Sequence, residues 1–437
     1  MDRQAYFSLN PWWEGESFKT GFPREDYLKR ILARFDRSQI EIVVGSRRVG
    51  KTTFLKQIIK RQLEKGVERE RVFYLSCDHP QAVGLPVSKH LEEFRQIFSL
   101  PRDERALLFL DEVQETPNWE IELKSLYDTE NLKIVCSGST SALVKSHGGK
   151  LTGRQVNTVI YPLGFSEFLT FRKIAPKFSE GYLLENYAEE YLQVGGYPEN
   201  VLKPSTDYLN ALLDDIFLRD LIRLYPIKNL TVMKDLFVLL TSSVGTRVSF
   251  NKLANTLEIS VDTVKRYIEY LESVFLVKKM TKWSTSHRQR VYAPKKIYLL
   301  DTGLKTLLTG EQDLGFKAEN AVFTHFLRTG QEVGYFAESQ RELDFVAGPY
   351  QDPQPVEAKY VEDLEIDDKR LLGLKLFLKR FPNVKKARIV TKNVARKERF
   401  RDVEIELIPL WQFLLRSRDT EEITEIKRTT EIDERIN

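Results

Sequence analysis

Cysteine is nearly missing from this chain: two in 437 residues, Cys77 and Cys136. Both sit in apolar stretches, "VFYLSC" and "KIVCSG", that read as strands, so neither a disulfide framework nor a zinc cluster is available, and both thiols are expected to be buried and inert. Histidine is scarce as well, and the five residues show no ligand spacing, which argues against a histidine metal site. No apolar run approaches the roughly 18 residues needed to cross a bilayer. The opening "MDRQAYFSLNPWW" lacks the basic-then-apolar pattern of a secretion signal, so a soluble, cytoplasmic protein without a membrane partner is expected. A large excess of one charge is missing too: 67 Lys and Arg face 63 Asp and Glu, a net charge of +4, and any basic surface must therefore be local. There is no internal repeat and no low-complexity tract.

What is present is core material, 42% hydrophobic residues in a chain too long for one core. Two to four domains are expected, as a rough count from length. One stretch carries chemistry without further context. "GSRRVGKTT" follows the apolar strand "QIEIVV" and opens the helical pattern "FLKQIIKRQLEKG". A triphosphate needs many inward donors, and a glycine-rich turn lets successive N–H groups converge. Gly45, Ser46, Arg47, Arg48, Val49, Gly50, Lys51, Thr52 and Thr53 form that cradle. Lys51 supplies charge for the β- and γ-phosphates and Thr52 a hydroxyl for Mg²⁺, so ATP and Mg²⁺ are the expected cofactors.

Hydrolysis needs an acidic element after an apolar strand next to this loop, and "ALLFLDEVQE" supplies it. Asp111 can hold the ion through a water, and Glu112 can orient or deprotonate the attacking water. The strand end "CSGST" provides a γ-phosphate sensor, Ser137 or, as runner-up, Ser139. Arg154 in "KLTGRQV" is the candidate cation for charge developing on the phosphate, in cis or towards a neighbouring subunit of a homo-oligomer. Trp12 and Trp13 are read as anchors of an N-terminal strand, with base stacking as the alternative.

Five apolar strands alternate with helical patterns up to about residue 175, which argues for a parallel sheet covered on both faces. From Pro176 to Leu240 the text is helical, read as a lid. "RVSFNKLANTLEISVDTVKRYIEYLESVFLVKKM" then reads as two helices, with Ser260 capping the second, followed by the strand pair "FLVKKM" and "KKIYLLD". A winged helix-turn-helix fits that order. Val264, Tyr267, Ile268 and Leu271 form the inward face of its second helix. Thr263, Lys265 and Arg266 face outward and could meet DNA, against the acids Asp262, Glu269 and Glu272 on the same element.

Taken together, "NPWW", "GSRRVGKTT", "FLDEVQ", "CSGST", "GRQVNTVIYPLGFSEFL" and "GGYPE" resemble the prokaryotic AAA-type P-loop ATPases that carry a winged helix and a C-terminal nuclease-like domain. That family usually has Pro after the first loop glycine, where this chain has Ser46; the position offers its backbone, so the change should be harmless. The resemblance implies a AAA-type core, a winged helix and a restriction-endonuclease-like fold at the end; with the residue patterns, the expected α/β chain divides into a P-loop AAA-type parallel sheet core (1–175), a helical lid (176–242), a winged helix-turn-helix (243–300), a restriction-endonuclease-like α/β domain (301–415) and a charged tail (416–437) expected to be frayed.

The nuclease expectation has support in the residues themselves. In "QPVEAKYV" Glu357 and Lys359 alternate with apolar residues and leave one face of a strand. With Asp344 of "RELDFVAG" and Glu319 of "KAENAVFTHFLR" as a further outer ligand, the set resembles the PD-(D/E)xK pattern of metal-dependent phosphodiester cleavage. A metal-free ion pair on an exposed strand face explains the same spacing. Two functions therefore stand open: an ATPase acting on DNA and gating a metal-dependent nuclease, or a nucleotide-dependent regulatory or defence switch whose nuclease-like domain only binds. A protein remodeller would need a pore loop, and none is located.

Overall fold

The five apolar runs of the N-terminal part become β1 (Ile40–Val44), β2 (Val72–Ser76), β3 (Ala106–Asp111), β4 (Leu132–Gly138) and β5 (Gln155–Val159) in a computed structural model that describes residues 1–140, 151–175 and 180–416. They form one sheet of order β2-β3-β4-β1-β5, every pair parallel. β1 and β3 are buried at every residue, as strands covered on both faces must be. The helices Lys51–Glu64, Val87–Phe98 and Trp119–Thr129 make the crossovers. In the first of them Phe54, Leu55, Ile58 and Ile59 recur at helical spacing and are buried.

The acidic strand is not next to the loop strand as expected: β4 lies between β1 and β3. A parallel crossover can skip a position, and sequence order does not reveal which strand fills the gap. The N-terminus also differs from expectation. Residues Arg3–Leu9 form an α-helix and Pro11–Glu14 a 3₁₀ turn, not a strand. Trp12 and Trp13 are buried there, and both indole N–H groups donate to the Val72 carbonyl, at 3.0 and 2.8 Å. Asn10 clamps the next strand residue but one, accepting from Tyr74 N at 2.7 Å and donating to Tyr74 O at 3.0 Å. Because β2 is an edge strand, these contacts satisfy backbone groups that the sheet leaves open. Cys77 and Cys136 are buried and free, and burial pushes the Cys77 thiol up to about 12.

Contacts divide the chain into two compact units, Met1–Tyr161 with Asp215–Leu224 and Ser273–Phe275, and Pro162–Asp214 with Tyr225–Glu272 and Leu276–Asn437. The expected boundary at Pro176 and nearly all of the charged tail lie outside the described residues. In the second unit the helices Gly181–Val194, Pro198–Leu202 and Leu230–Ser242 precede the pair Phe250–Thr256 and Val261–Ser273. Ser260 accepts from Thr263 N at 3.1 Å, and Val264, Tyr267, Ile268 and Leu271 are buried, as the spacing predicts. A small antiparallel sheet flanks this pair, β6 (Arg247–Val248) before it and β7 (Val277–Met280) and β8 (Lys295–Leu299) after it, in the order β6-β8-β7.

The last sheet contains β9 (Val333–Glu338), β10 (Arg341–Ala347), β11 (Gln354–Ala358), β12 (Lys386–Thr391), β13 (Arg396–Phe400) and β14 (Val403–Pro409). Its order is β13-β14-β12-β11-β10-β9, with β11, β12 and β14 parallel and the outer pairs antiparallel. Leu343, Leu374, Phe377, Ile389 and Ile405 pack together as the core of this part, with the helix Leu372–Arg380 contributing its apolar face.

Candidate functional site

Gly45 follows β1 directly, and the turn it opens is too tight for a side chain: a Cβ there would lie 2.3 Å from the Ile160 carbonyl oxygen. Gly50 closes the turn with φ +97°, a conformation that favours glycine, and Lys51 begins the helix. Lys51 is 4% exposed and donates its Nζ to Gly45 O at 3.2 Å and Ser46 O at 3.1 Å. The ammonium is thereby stored inside the loop, 3.8 Å from the Glu112 carboxylate. Thr52 is exposed in the first helical turn, with Thr53 half-buried behind it and Val49 buried beneath. The close approach at Gly45, the left-handed Gly50 and the helix N-terminus form a cradle that fits a phosphate chain, so these residues fit ATP. Thr52 offers the hydroxyl that fits Mg²⁺.

The acidic pair comes off the end of β3. Asp111 is 2% exposed; its Oδ2 accepts from Tyr74 OH at 3.0 Å and its Oδ1 from the Ser137 hydroxyl. Burial first, and then the Asp111 charge, raise the Tyr74 phenol. Glu112 adopts φ +51° and donates its backbone N–H to Ser137 Oγ at 3.2 Å, while Gln114 Nε2 donates to Glu112 Oε2 at 2.5 Å. A non-glycine residue in the left-handed region is the local strain that active-site turns hold. It turns the Glu112 side chain towards Lys51 while Asp111 points inward. Ser137, at the end of β4, touches both acids; Ser139 is buried further on. The interposed strand β4 is therefore what brings the sensor candidate against the acidic pair.

Arg154 does not join them. It immediately precedes β5, whose first residue Gln155 pairs with Ile40 at the start of β1, and Arg154 O accepts from Ile40 N at 2.8 Å. The loop leaves the other end of β1, about 16 Å away along a five-residue strand. Arg154 instead pairs with Asp128 at 3.0 Å and lies over the Tyr127 ring. A role in cis towards the γ-phosphate is excluded by that placement.

Sequence reasoning missed the partners of the loop arginines. Arg47 donates Nε and Nη2 to the two oxygens of Asp220, at 3.0 and 2.6 Å, and Arg48 pairs with Asp215 at 2.7 Å. Arg223 pairs with Glu115 beside the acidic turn. Asp215, Asp220 and Arg223 belong to residues 215–224, where Ile216–Leu221 is a π-helical turn. No local spacing signals them, since the segment returns to this unit from far along the chain.

The C-terminal cluster brings together all four expected residues. Asp344 on β10 and Glu357 on β11 are buried, and Glu319 comes from the helix Leu314–Arg328. Lys359, just past β11, reaches Glu357 at 2.6 Å and Asp344 Oδ2 at 3.1 Å. Asp344 Oδ2 also accepts from Ala358 N, and Glu357 Oε2 accepts from Asp344 N. Three further groups were not foreseen. Lys296 of β8 lies 3.0 Å from Glu319, 2.7 Å from Glu342 and 3.5 Å from Asp344, and Tyr298 OH donates to Glu319 at 2.6 Å. Burial, then the neighbouring Asp344 charge, push Glu357 up to about 8 and Glu319 to about 7. Asp344 has the opposite direction: burial would raise it, but the Lys359 and Lys296 ammoniums hold it low. Among the described residues no group of three or more His, Cys, Asp or Glu is arranged to hold a metal ion. The acids expected to bind one each face an ammonium instead, so as placed the set does not fit a divalent ion.

On the helix Val261–Ser273, Lys265 and Arg266 are exposed and Thr263 is half-buried. Lys265 pairs with Asp262 at 3.3 Å, and Arg266 leans towards Thr263.

Residues 37–169 match a family model described as an AAA domain, and residues 185–315 match one described as a domain of unknown function. The first match contains the loop, the acidic pair and all five parallel strands, and an AAA-type P-loop domain in this part of the chain follows from the two together. An uncharacterized protein of Haemophilus influenzae is 28% identical over 343 residues, 75% of this chain and 84% of that one. The uncharacterized protein MJ1544 of Methanocaldococcus jannaschii is 28% identical over 327 residues, 71% of this chain and 72% of that one. Solved structures that align include AMPPCP-bound DnaA from Aquifex aeolicus (18% identity, TM-score 0.27, 60% of this chain and 92% of that one) and Cdc6p from Pyrobaculum aerophilum (12% identity, TM-score 0.30, 66% and 93%). No helix among the described residues is long and apolar enough to cross a membrane.

Proposed function

We propose that the chain is a Mg²⁺-dependent ATPase that works as a nucleotide-controlled switch on DNA, with a C-terminal nuclease-like domain that binds without cutting. The observation that carries the ATPase reading is the convergence of Lys51, Glu112 and Ser137 at one end of the parallel sheet. In this reading Lys51 leaves its two loop carbonyls for the β- and γ-phosphates, and Thr52 and Asp111 hold the ion. Glu112 orients the water, and Ser137 relays the state of the γ-phosphate to the acidic turn. Bound Mg²⁺ supplies neutralisation of the phosphate charge. Arg154 is left for a neighbouring subunit of a homo-oligomer.

The helices of 181–242 serve as the lid and residues 243–300 as the winged helix in this proposal. DNA contact is supported by Lys265 and Arg266 and by a feature not anticipated, the short helix His287–Tyr292 between β7 and β8. Arg288 and Arg290 are exposed on it, and Tyr292 is 80% exposed, the pairing of cations with an aromatic face that phosphates and bases recruit. The lysine-paired acids favour binding over cleavage.

ATP turnover with and without duplex DNA, in the parent and in Lys51→Ala, tests the proposal. Turnover should fall at least about 100-fold in the variant, and DNA should stimulate the parent in a salt-dependent way. Parental turnover in Lys51→Ala would overturn the ATPase reading, and indifference to DNA at low salt would remove DNA as the partner.

A further inference from the structure

Lys296 is 1% exposed, and three acids from two elements close around its ammonium: Glu319 from the helix Leu314–Arg328, and Glu342 and Asp344 from β10. The contacts are 3.0, 2.7 and 3.5 Å. Tyr298, on the same face of β8, donates to the same oxygen of Glu319 that Lys296 touches. Asp344 divides its two oxygens between cations, Oδ1 towards Lys296 and Oδ2 towards Lys359. Arg247 of β6 adds a contact to Glu342 at 2.9 Å. A buried ammonium is tolerated only when such a cage is complete, and a buried carboxylate set is tolerated only when a cation fills it. A divalent ion and a lysine answer the same electrostatic demand.

We infer that Lys296 is a resident cation, standing where a divalent metal ion would otherwise sit among Glu319, Glu342 and Asp344, and that β8 rather than a metal neutralises this face of the cluster. The inference rests on the reading of the C-terminal domain as one that binds without cutting, and is independent of the phosphate loop. Lys296 is thus a specificity-determining residue: its ammonium repels an incoming divalent ion and occupies the oxygens that would ligate it. Loss of the lysine turns the cage into a metal site.

The test is a Mn²⁺ titration by calorimetry in the absence of nucleotide, on the full chain, its Lys296→Gln, Lys296→Arg and Asp344→Asn variants, and the double variant Lys296→Gln/Glu319→Gln. The parent should match Asp344→Asn, with no saturable ion at this cluster. Lys296→Gln should gain one ion at least tenfold tighter than any binding by the parent, the double variant should lose it, and Lys296→Arg should behave as the parent. If Lys296→Gln does not fold alone, circular dichroism should show millimolar Mn²⁺, and not sodium at equal ionic strength, restoring its structure. Binding by Lys296→Gln no tighter than by the parent, or an unfolded variant that Mn²⁺ does not restore, would overturn the inference and leave the non-cleaving reading in place. A parental ion that Asp344→Asn removes would overturn the inference and the non-cleaving reading together.

Discussion

Arg47 gives two parallel hydrogen bonds to Asp220, at 3.0 and 2.6 Å, so that a phosphate-loop arginine is already holding a carboxylate 173 positions further along the chain. Asp220 is 6% exposed, and the fork-to-fork geometry is the strong form of this contact. A bound triphosphate and Asp220 would draw on the same guanidinium.

Replacing Asp220 with Asn removes the competing charge and keeps the shape. ATP affinity should rise about threefold to tenfold as the loop becomes more positive, while the fold loses about 1–3 kcal/mol from the broken charged contact. Calorimetric titration with ATP and Mg²⁺, paired with a urea transition, separates the two effects. Unchanged or weaker ATP binding would show that Asp220 props Arg47 in place and does not compete.

Two glycines of the loop should respond unequally to alanine. At Gly45 the added Cβ meets the backbone oxygen of Ile160 at 2.3 Å, which cannot swing aside. The cost there should be about 3 kcal/mol. At Gly50 nothing lies within 4 Å, and the penalty is the φ of +97° alone, about 1 kcal/mol. Urea midpoints should therefore rank Gly45→Ala below Gly50→Ala, and the reverse order would contradict the packing described.

Ser137 bonds to Asp111 through its hydroxyl and accepts from the Glu112 backbone, so its removal should loosen the acidic turn without touching the loop. Ser137→Ala should lower kcat about 100-fold with KM for ATP changed little. A proportional rise in KM would instead place Ser137 in ground-state binding.

Asp301 gives the pH dependence its sign. It is 3% exposed, and burial pushes its carboxyl up to about 6, against hydrogen bonds from the Gly196 and Leu304 N–H groups and the charge of Arg328. The folded chain therefore holds this proton more tightly than the unfolded chain does. The resulting stability is complete below about pH 4 and disappears as pH rises through about 6, roughly 3 kcal/mol in all. Urea midpoints of the parent should carry this decline between pH 4 and 6, and those of Asp301→Asn should lack it.

The elements were legible where one periodicity ruled. Five strands and the helix after the loop follow from apolar runs and a 3.6-residue repeat. The face Val264, Tyr267, Ile268 and Leu271 is buried as that repeat predicts. The N-terminal segment was misread because "NPWW" carries aromatic residues that suit a strand, whereas Asp2 accepts from Ala5 N and so caps a helix. Arg154, the candidate cation in cis or towards a neighbouring subunit, precedes a strand that starts beside Ile40, at the end of β1 remote from the loop. A parallel strand must begin at the far end of the sheet from where its predecessor stopped, so nearness in sequence is remoteness in space.

By itself the sequence determined the five strands of the parallel sheet, the phosphate loop, the acid pair and the four residues that meet in the C-terminal cluster, because each depends on spacing within a few residues or on alternation along one strand. Only the tertiary structure decided that β4 sets Ser137 between Asp111 and Glu112, that Asp220 holds Arg47, and that Lys296 fills the cage of acids. Those three relationships join side chains 23 to 173 residues apart. Which charge ends beside which is settled there by strand order and by chain returning from another unit, and no local pattern encodes either.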